Sequence, residues 1–348
     1  MRMRLGAITF AILLAAPLLA QKQDPAQRKQ GAPTNAKDIR SGYDKSARAT
    51  VLHNAIVYVA PDDASQKSSL VTPGHELVVI DRSGPWVKVF ANTDTPDRED
   101  PDAKPDFAED ETVTPTSGWI KDKGIVTPQT PNGDAILFGA AANLEDEASR
   151  PHAAKNAAGG AHLLYERVFQ YYPQSPLAGE AAFRSADIRW QIEKLDASTL
   201  PSAKEQEAYL RPQLYDGDLK RILKQYPGSK YAALAAFDLI DNKLCGDWQG
   251  LPKCPEMESG LYLKYADQWR ESPKAPEALY NAVYRQGVLV SMYQVEDSRK
   301  RAEAAAARTQ SLAAEMRAKF PTSDYTRRAE SIAYRVQQGI NIFGNDRE

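Results

Sequence analysis

The sequence predicts a multidomain protein: a small all-β unit followed by an all-α array of stacked helical hairpins, carried behind an export signal. Three observations lead there. Residues 47–128 read as short strands of period two divided by turn residues. From His162 onward the pattern becomes that of amphipathic helices, punctuated by four Pro-containing steps. Ahead of both lies a basic and then apolar N-terminus.

The chain has 348 residues, 42% of them hydrophobic and 26% charged, an ordinary globular balance with enough apolar material for real cores. Its net charge of -2 lacks the basic excess of a nucleic-acid binder, so no nucleic-acid partner is expected.

Arg2 and Arg4 precede an apolar run from Leu5 to Ala20 that Pro17 interrupts. The run is too short to span a bilayer comfortably and reads as a secretory signal peptide over residues 1–20, cleaved after Ala20. An uncleaved anchor is the competing reading. No later stretch has the length and apolarity of a transmembrane segment, and no Cys lies near the cleavage region to carry a lipid. The expected location is therefore periplasmic or secreted. Residues 21–46 are polar and predict a flexible linker.

The β unit begins at Ala47. Val51–Val59 is rich in β-branched residues, Pro61-Asp62-Asp63 turns, and Thr72-Pro73-Gly74-His75 turns again into a strand from Glu76 to Asp81. Arg82-Ser83-Gly84-Pro85 reverses the chain into the alternating strand Trp86–Phe90. Residues 91–117 carry nine Asp or Glu against two basic residues and predict a long solvated acidic loop. Gly118-Trp119-Ile120 and Gly124-Ile125-Val126 close the unit.

Residues 47–128 resemble a bacterial SH3 (SH3b) domain. The resemblance rests on Pro73-Gly74-His75-Glu76-Leu77, on Trp86-Val87-Lys88-Val89 and on Gly118-Trp119-Ile120. It implies a small SH3-like barrel, with Trp86 covering one barrel end and Gly-Trp opening the last strand. The stretch Ala55–Pro61 lacks the Arg of the related pattern, and the acidic loop is long for it.

Residues 129–154 read as a connector with a short apolar patch at Ala135–Ala142 and room for one short helix. The hairpins then occupy 155–340, with 341–348 as a tail that Ile342 and Phe343 could pack. Four steps share one grammar: Tyr172-Pro173-Gln174-Ser175, Tyr226-Pro227-Gly228-Ser229, Ser272-Pro273-Lys274-Ala275 and Phe320-Pro321-Thr322-Ser323. Pro cannot continue the first helix, and a Ser two residues later can cap the second. Pro176 is expected at the first helical position after the first step. Small residues such as Ala181, Ala182, Ala232 and Ala235 permit close helix approach.

This grammar is similar to the tetratricopeptide-like repeats of bacterial outer-membrane assembly and cell-division coordinator proteins, across residues 155–338. The resemblance implies a stacked array that binds protein partners. The prolines are 54, 46 and 48 residues apart, beyond the usual period of about 34. Longer linkers are therefore expected, at Ala197–Pro212 and Cys245–Pro255.

Cys245 and Cys254 are the two cysteines, and in an exported chain the pair predicts a disulfide worth about 2–3 kcal/mol. Two unpaired thiols are the other reading. No phosphate loop, nucleophile elbow or His-Glu-x-x-His motif occurs, so no catalytic, cofactor-binding or metal residue is assigned and the chain reads as non-enzymatic. His152 and His162 lack further ligands at metal spacing. Trp86 and Trp119 could stack on a cell-wall ligand or serve as core and rim of the barrel. Trp248, in the cysteine-bounded loop, could face a ligand or cover its hairpin. The function this supports is an exported scaffold or adaptor for envelope proteins. A peptidoglycan-binding module acting through the barrel is the alternative.

Overall fold

The computed structural model describes residues 47–94 and 115–343. The expected signal peptide, the flexible linker, the bulk of the acidic loop and residues 344–348 lie outside the described residues.

The β unit is a single antiparallel sheet. Its strands are β1 (Arg48–Val51), β2 (Ala55–Tyr58), β3 (Lys67–Val71), β4 (Glu76–Ser83), β5 (Trp86–Ala91), β6 (Thr116–Lys121) and β7 (Ile125–Val126). Their order is β3-β2-β6-β5-β4-β1-β7. The sheet curls on itself. Asn92, just past β5, donates its side-chain amide to the carbonyl of Leu70 on edge strand β3 at 3.2 Å. Alternating residues, among them Val57, Leu77, Val87, Val89 and Ile120, fill the inside of the curl.

Two local expectations change. Val51–Val59 is not one strand: it breaks at residues 52–54, because β1 pairs with β4 and β7 whereas β2 pairs with β3 and β6. The β4–β5 turn also shrinks to Gly84-Pro85. Gly84 supplies a φ of 57°, so Ser83 can still pair with Trp86.

The helical part begins earlier than expected. Residues 133–148, inside the expected connector, form the full helix α1 (Gly133–Ala148). It packs on α2 (Ala157–Tyr171) because Leu137 and Ala141 are buried against Leu164, Tyr165 and Val168. The same cluster takes in Val126 and Leu52, so α1 belongs at once to the array and to the seam with the β unit. Then follow α3 (Ala178–Thr199), α4 (Gly217–Gln225), α5 (Lys230–Asp238), α6 (Lys253–Gln268), α7 (Ala275–Val295), α8 (Arg299–Lys319) and α9 (Asp324–Gln337). The long linkers fall at 200–216 and 239–252 and hold short 3-10 turns.

All four Pro steps join paired helices, but proline does not set their geometry. In each, an aromatic residue ends the first helix, and a Ser three positions on donates its backbone N–H to that residue's carbonyl. The pairs are Tyr172/Ser175, Tyr226/Ser229, Trp269/Ser272 and Phe320/Ser323, at 2.9–3.1 Å. Each Ser hydroxyl then accepts from a backbone N–H two or three residues later, at 3.1–3.2 Å. In the third step the aromatic partner is Trp269, and Pro273 follows the Ser instead of preceding it. Pro176 lies in the turn before α3, which starts at Ala178.

Small residues set the spacing. A Cβ on Gly179 would lie 3.1 Å from the ring of Tyr231, so α3 and α5 are in direct contact there. Buried Ala181, Ala182, Ala232 and Ala235 serve the same close approach.

Candidate functional site

The β unit meets the array at a buried polar node. Arg167 on α2 is 2% exposed. Its Nε donates to the carbonyl of Gly74 at 2.8 Å, one terminal nitrogen donates to Gln170 at 2.6 Å, and the other pairs with Asp94. Asp94 also meets His75 Nδ1 at 3.3 Å. Beside them Glu76 pairs with Arg48 and accepts from Thr93 Oγ1 at 3.0 Å, and Arg48 lies over the ring of Tyr171. Burial pushes the Asp94 carboxyl up, but Arg167 and His75 outweigh it and hold it well below the usual carboxylate range. Burial pushes the Tyr171 hydroxyl up. With charges paired across the seam, the node fixes one unit against the other.

A second node surrounds the disulfide. Cys245 and Cys254 are bonded, with Cα atoms 6.0 Å apart. Glu258 on α6, fully buried, accepts from Cys245 N at 2.8 Å, from Trp248 Nε1 at 3.2 Å and from Arg285 Nε on α7 at 2.8 Å. Arg285 stacks on Trp248 and Tyr262. The loop is tied to the linker before α4, since Gly246 N donates to Glu205 O at 2.8 Å and Asp247 N to Lys204 O at 3.0 Å. An open, mostly apolar hollow of about 370 Å³ lies alongside, between Tyr209, Met257, Lys243 and Cys245.

The aromatic candidates separate. Trp248 is 2% exposed and donates its Nε1–H to Glu258, so its ring is withdrawn from solvent into its own hairpin. Trp86 is 5% exposed, edge-on to Tyr58 at 5.3 Å with Lys121 Nζ 3.8 Å over its ring. It too is turned away from solvent. Trp119 is half-buried on the outer face of β6, with Lys88 Nζ 6.0 Å from its ring centroid.

The histidines do not converge. His152 is exposed in a left-handed turn, whereas His162 is buried and bonded to Ser185. Among the described residues no group of three or more His, Cys, Asp or Glu is placed to hold a metal ion. Nor, among them, is any helix long and apolar enough to cross a membrane.

One carboxyl elsewhere is strongly perturbed. Burial, then Asp187 and Asp241, push Asp238 at the end of α5 up to about 8, against Lys274 and Lys194. Its Oδ2 is buried without a hydrogen-bond partner.

Sequence reasoning missed Arg167, Asp94, Glu258 and Arg285. The available signal was a lone charge inside an apolar helical run, as at Val283-Tyr284-Arg285-Gln286-Gly287-Val288. No known protein family matches the chain, and no curated protein matches it in sequence.

Proposed function

We propose that the chain is an exported, non-enzymatic scaffold of the bacterial envelope whose helical array holds protein partners. The observation that carries this reading is the continuity of the stack. Helices α1 to α3 pack in succession, α4 and α5 pair against α3, Tyr265 on α6 donates to the carbonyl of Ala233 on α5 at 2.8 Å, α6 to α9 pack in succession, and the Arg167 node locks the β unit onto α2. The chain therefore offers an extended surface in fixed relation to a second module. The repeated aromatic-x-x-Ser turn with small residues at helix contacts supports a tetratricopeptide-like array. The curled sheet with its buried Trp86 supports an SH3-type barrel. The bonded cysteine pair supports an oxidising compartment.

The test is photo-crosslinking in cells. A crosslinking residue replaces exposed Leu195 or Tyr209 on the array, or Val59 on the β unit. Discrete protein adducts at array positions are expected, and none at any of them would overturn the reading.

A second reading, peptidoglycan binding by the barrel, draws on Trp119, which is only half-buried on the outer face of the sheet. Sedimentation of the full chain with purified sacculi tests it. Co-sedimentation that Trp119→Ala abolishes would favour it, and a chain that stays in the supernatant would end it.

A further inference from the structure

The array carries a slot already filled by the chain itself. After α9, Gly339 takes a φ of 66° and turns the backbone, with Ile340 N donating to Arg335 O at 2.9 Å. The following segment, Ile340–Phe343, forms no helix or strand. It lies over α7 and inserts one side chain, Ile342, which is 2% exposed. The seat is made by Gly287: a Cβ there would fall 2.9 Å from Ile342 Cδ1 and 2.8 Å from Ile332 Cγ2.

The slot also reads backbone. Buried Ser291 Oγ accepts from Ile342 N at 3.1 Å, Tyr284 donates to the carbonyl of Phe343 at 3.1 Å, and Arg335 donates to that of Asn341 at 3.0 Å. Side chains that satisfy three consecutive main-chain positions around one aliphatic anchor are the elements of extended-peptide recognition. Ile342 is the segment's one side-chain anchor, because Ile340 and Phe343 on either side are 50% and 68% exposed. One anchor is readily exchanged for another.

We infer that the slot between α7 and α9 is a docking site for an extended segment of another protein, one that inserts a β-branched aliphatic residue and presents the main-chain groups on either side of it, and that Ile340–Phe343 occupies it as an internal competitor. This deepens the scaffold reading by naming the chemistry of the partner. A tethered competitor acts at an effective concentration on the order of millimolar, so it masks the slot from weaker external ligands.

The test uses a labelled synthetic peptide with the sequence of residues 338–346 and fluorescence anisotropy. Three chains are compared: the full chain, one ending at Gln338, and full-length Ile342→Asp. The last two are checked for unchanged helical circular dichroism. The peptide is expected to bind both altered chains about ten-fold or more tighter than the full chain. The same peptide with Asp in place of the anchoring Ile is expected not to bind.

If a chain that keeps its helices does not bind, the slot is a packing contact only and the inference fails. Equal binding to all three chains would show that the segment is not a competitor, and would also overturn it. A full-length dimer in light scattering that Ile342→Asp dissolves would assign the slot to a second copy, against another protein. Array crosslinks at Tyr209 without peptide binding would sink this inference and leave the scaffold reading standing.

Discussion

Arg167 Nε on α2 donates to the carbonyl of Gly74 in the β3–β4 turn, 93 residues earlier in the chain, at 2.8 Å. Through that bond and the neighbouring Asp94 pair, one side chain ties the β unit to the helical array. Breaking a buried pair by removing one partner leaves the other charge uncompensated. Arg167→Met should therefore destabilise the chain by about 3–5 kcal/mol. The β unit and the array should then unfold in separate transitions in calorimetry. A single transition with unchanged midpoint would show that the seam is held by the apolar cluster alone.

The close approach at Gly74 makes a paired prediction. Its φ is +88°, and a Cβ would lie 2.5 Å from Leu163 Cβ and 2.8 Å from the backbone nitrogen of Leu164. Gly84 also has a positive φ, but nothing lies within 4 Å of its added Cβ. Gly84→Ala should cost about 1 kcal/mol for backbone conformation alone. Gly74→Ala should cost more, about 2–4 kcal/mol, because the helix backbone must also move. Urea denaturation of the two variants separates conformation from contact, and equal losses would refute the contact.

Glu258 and Arg285 permit a double-mutant cycle. Glu258→Gln keeps an acceptor for Cys245 N and Trp248 Nε1 but strands the Arg285 charge, and should cost about 3–5 kcal/mol. Adding Arg285→Met should recover part of that loss, with a coupling of about 1–3 kcal/mol in denaturant melts. Strict additivity would mean that the two side chains act independently of each other.

Two carboxyls give opposite pH dependences. Asp94 is held below its ordinary value of 3.8. Its contribution is present above pH 4 and is lost as the pH falls below that, because the unfolded chain takes up the proton first. Asp238 is raised to about 8. Its folded form favours the proton, so its contribution is full below pH 4 and is lost as the pH rises toward 8. Asp238→Asn should therefore raise the melting temperature at pH 8 by about 2–4 °C and leave it unchanged at pH 4. A gain of the same size at both pH values would argue against titration as the cause.

Much of the architecture was readable from local pattern. The alternation at Trp86–Phe90 reads as a strand, and β5 covers it. The Ala-rich helices broken by Tyr-Pro and Phe-Pro steps specify hairpins, since a helix cannot run through those prolines. The residues of the candidate slot were harder to read. Gly287 looks like a weak point within a helix until Ile342, 55 residues later, is seen filling the space above it. The two nodes were hidden for a similar reason. Arg167 and Glu258 resemble ordinary helical charges, and only their burial against distant carbonyls and side chains distinguishes them.

By itself the sequence determined the two-part organisation, the paired helices and the candidate cysteine pair, because each follows from short-range periodicity, chain breakers or residue type. Tertiary structure alone decided three things. It made residues 133–148 a packed helix of 16 residues where the sequence left room only for a short one in a connector, because Leu137 and Ala141 found a buried face on α2. It placed the third turn on Trp269 and Ser272 and not on Pro273, because the repeating unit is a hydrogen-bonded turn and proline is only its frequent companion. It also turned Trp86 and Trp248 inward, since a large aromatic side chain gains more from a fitted interior than from water.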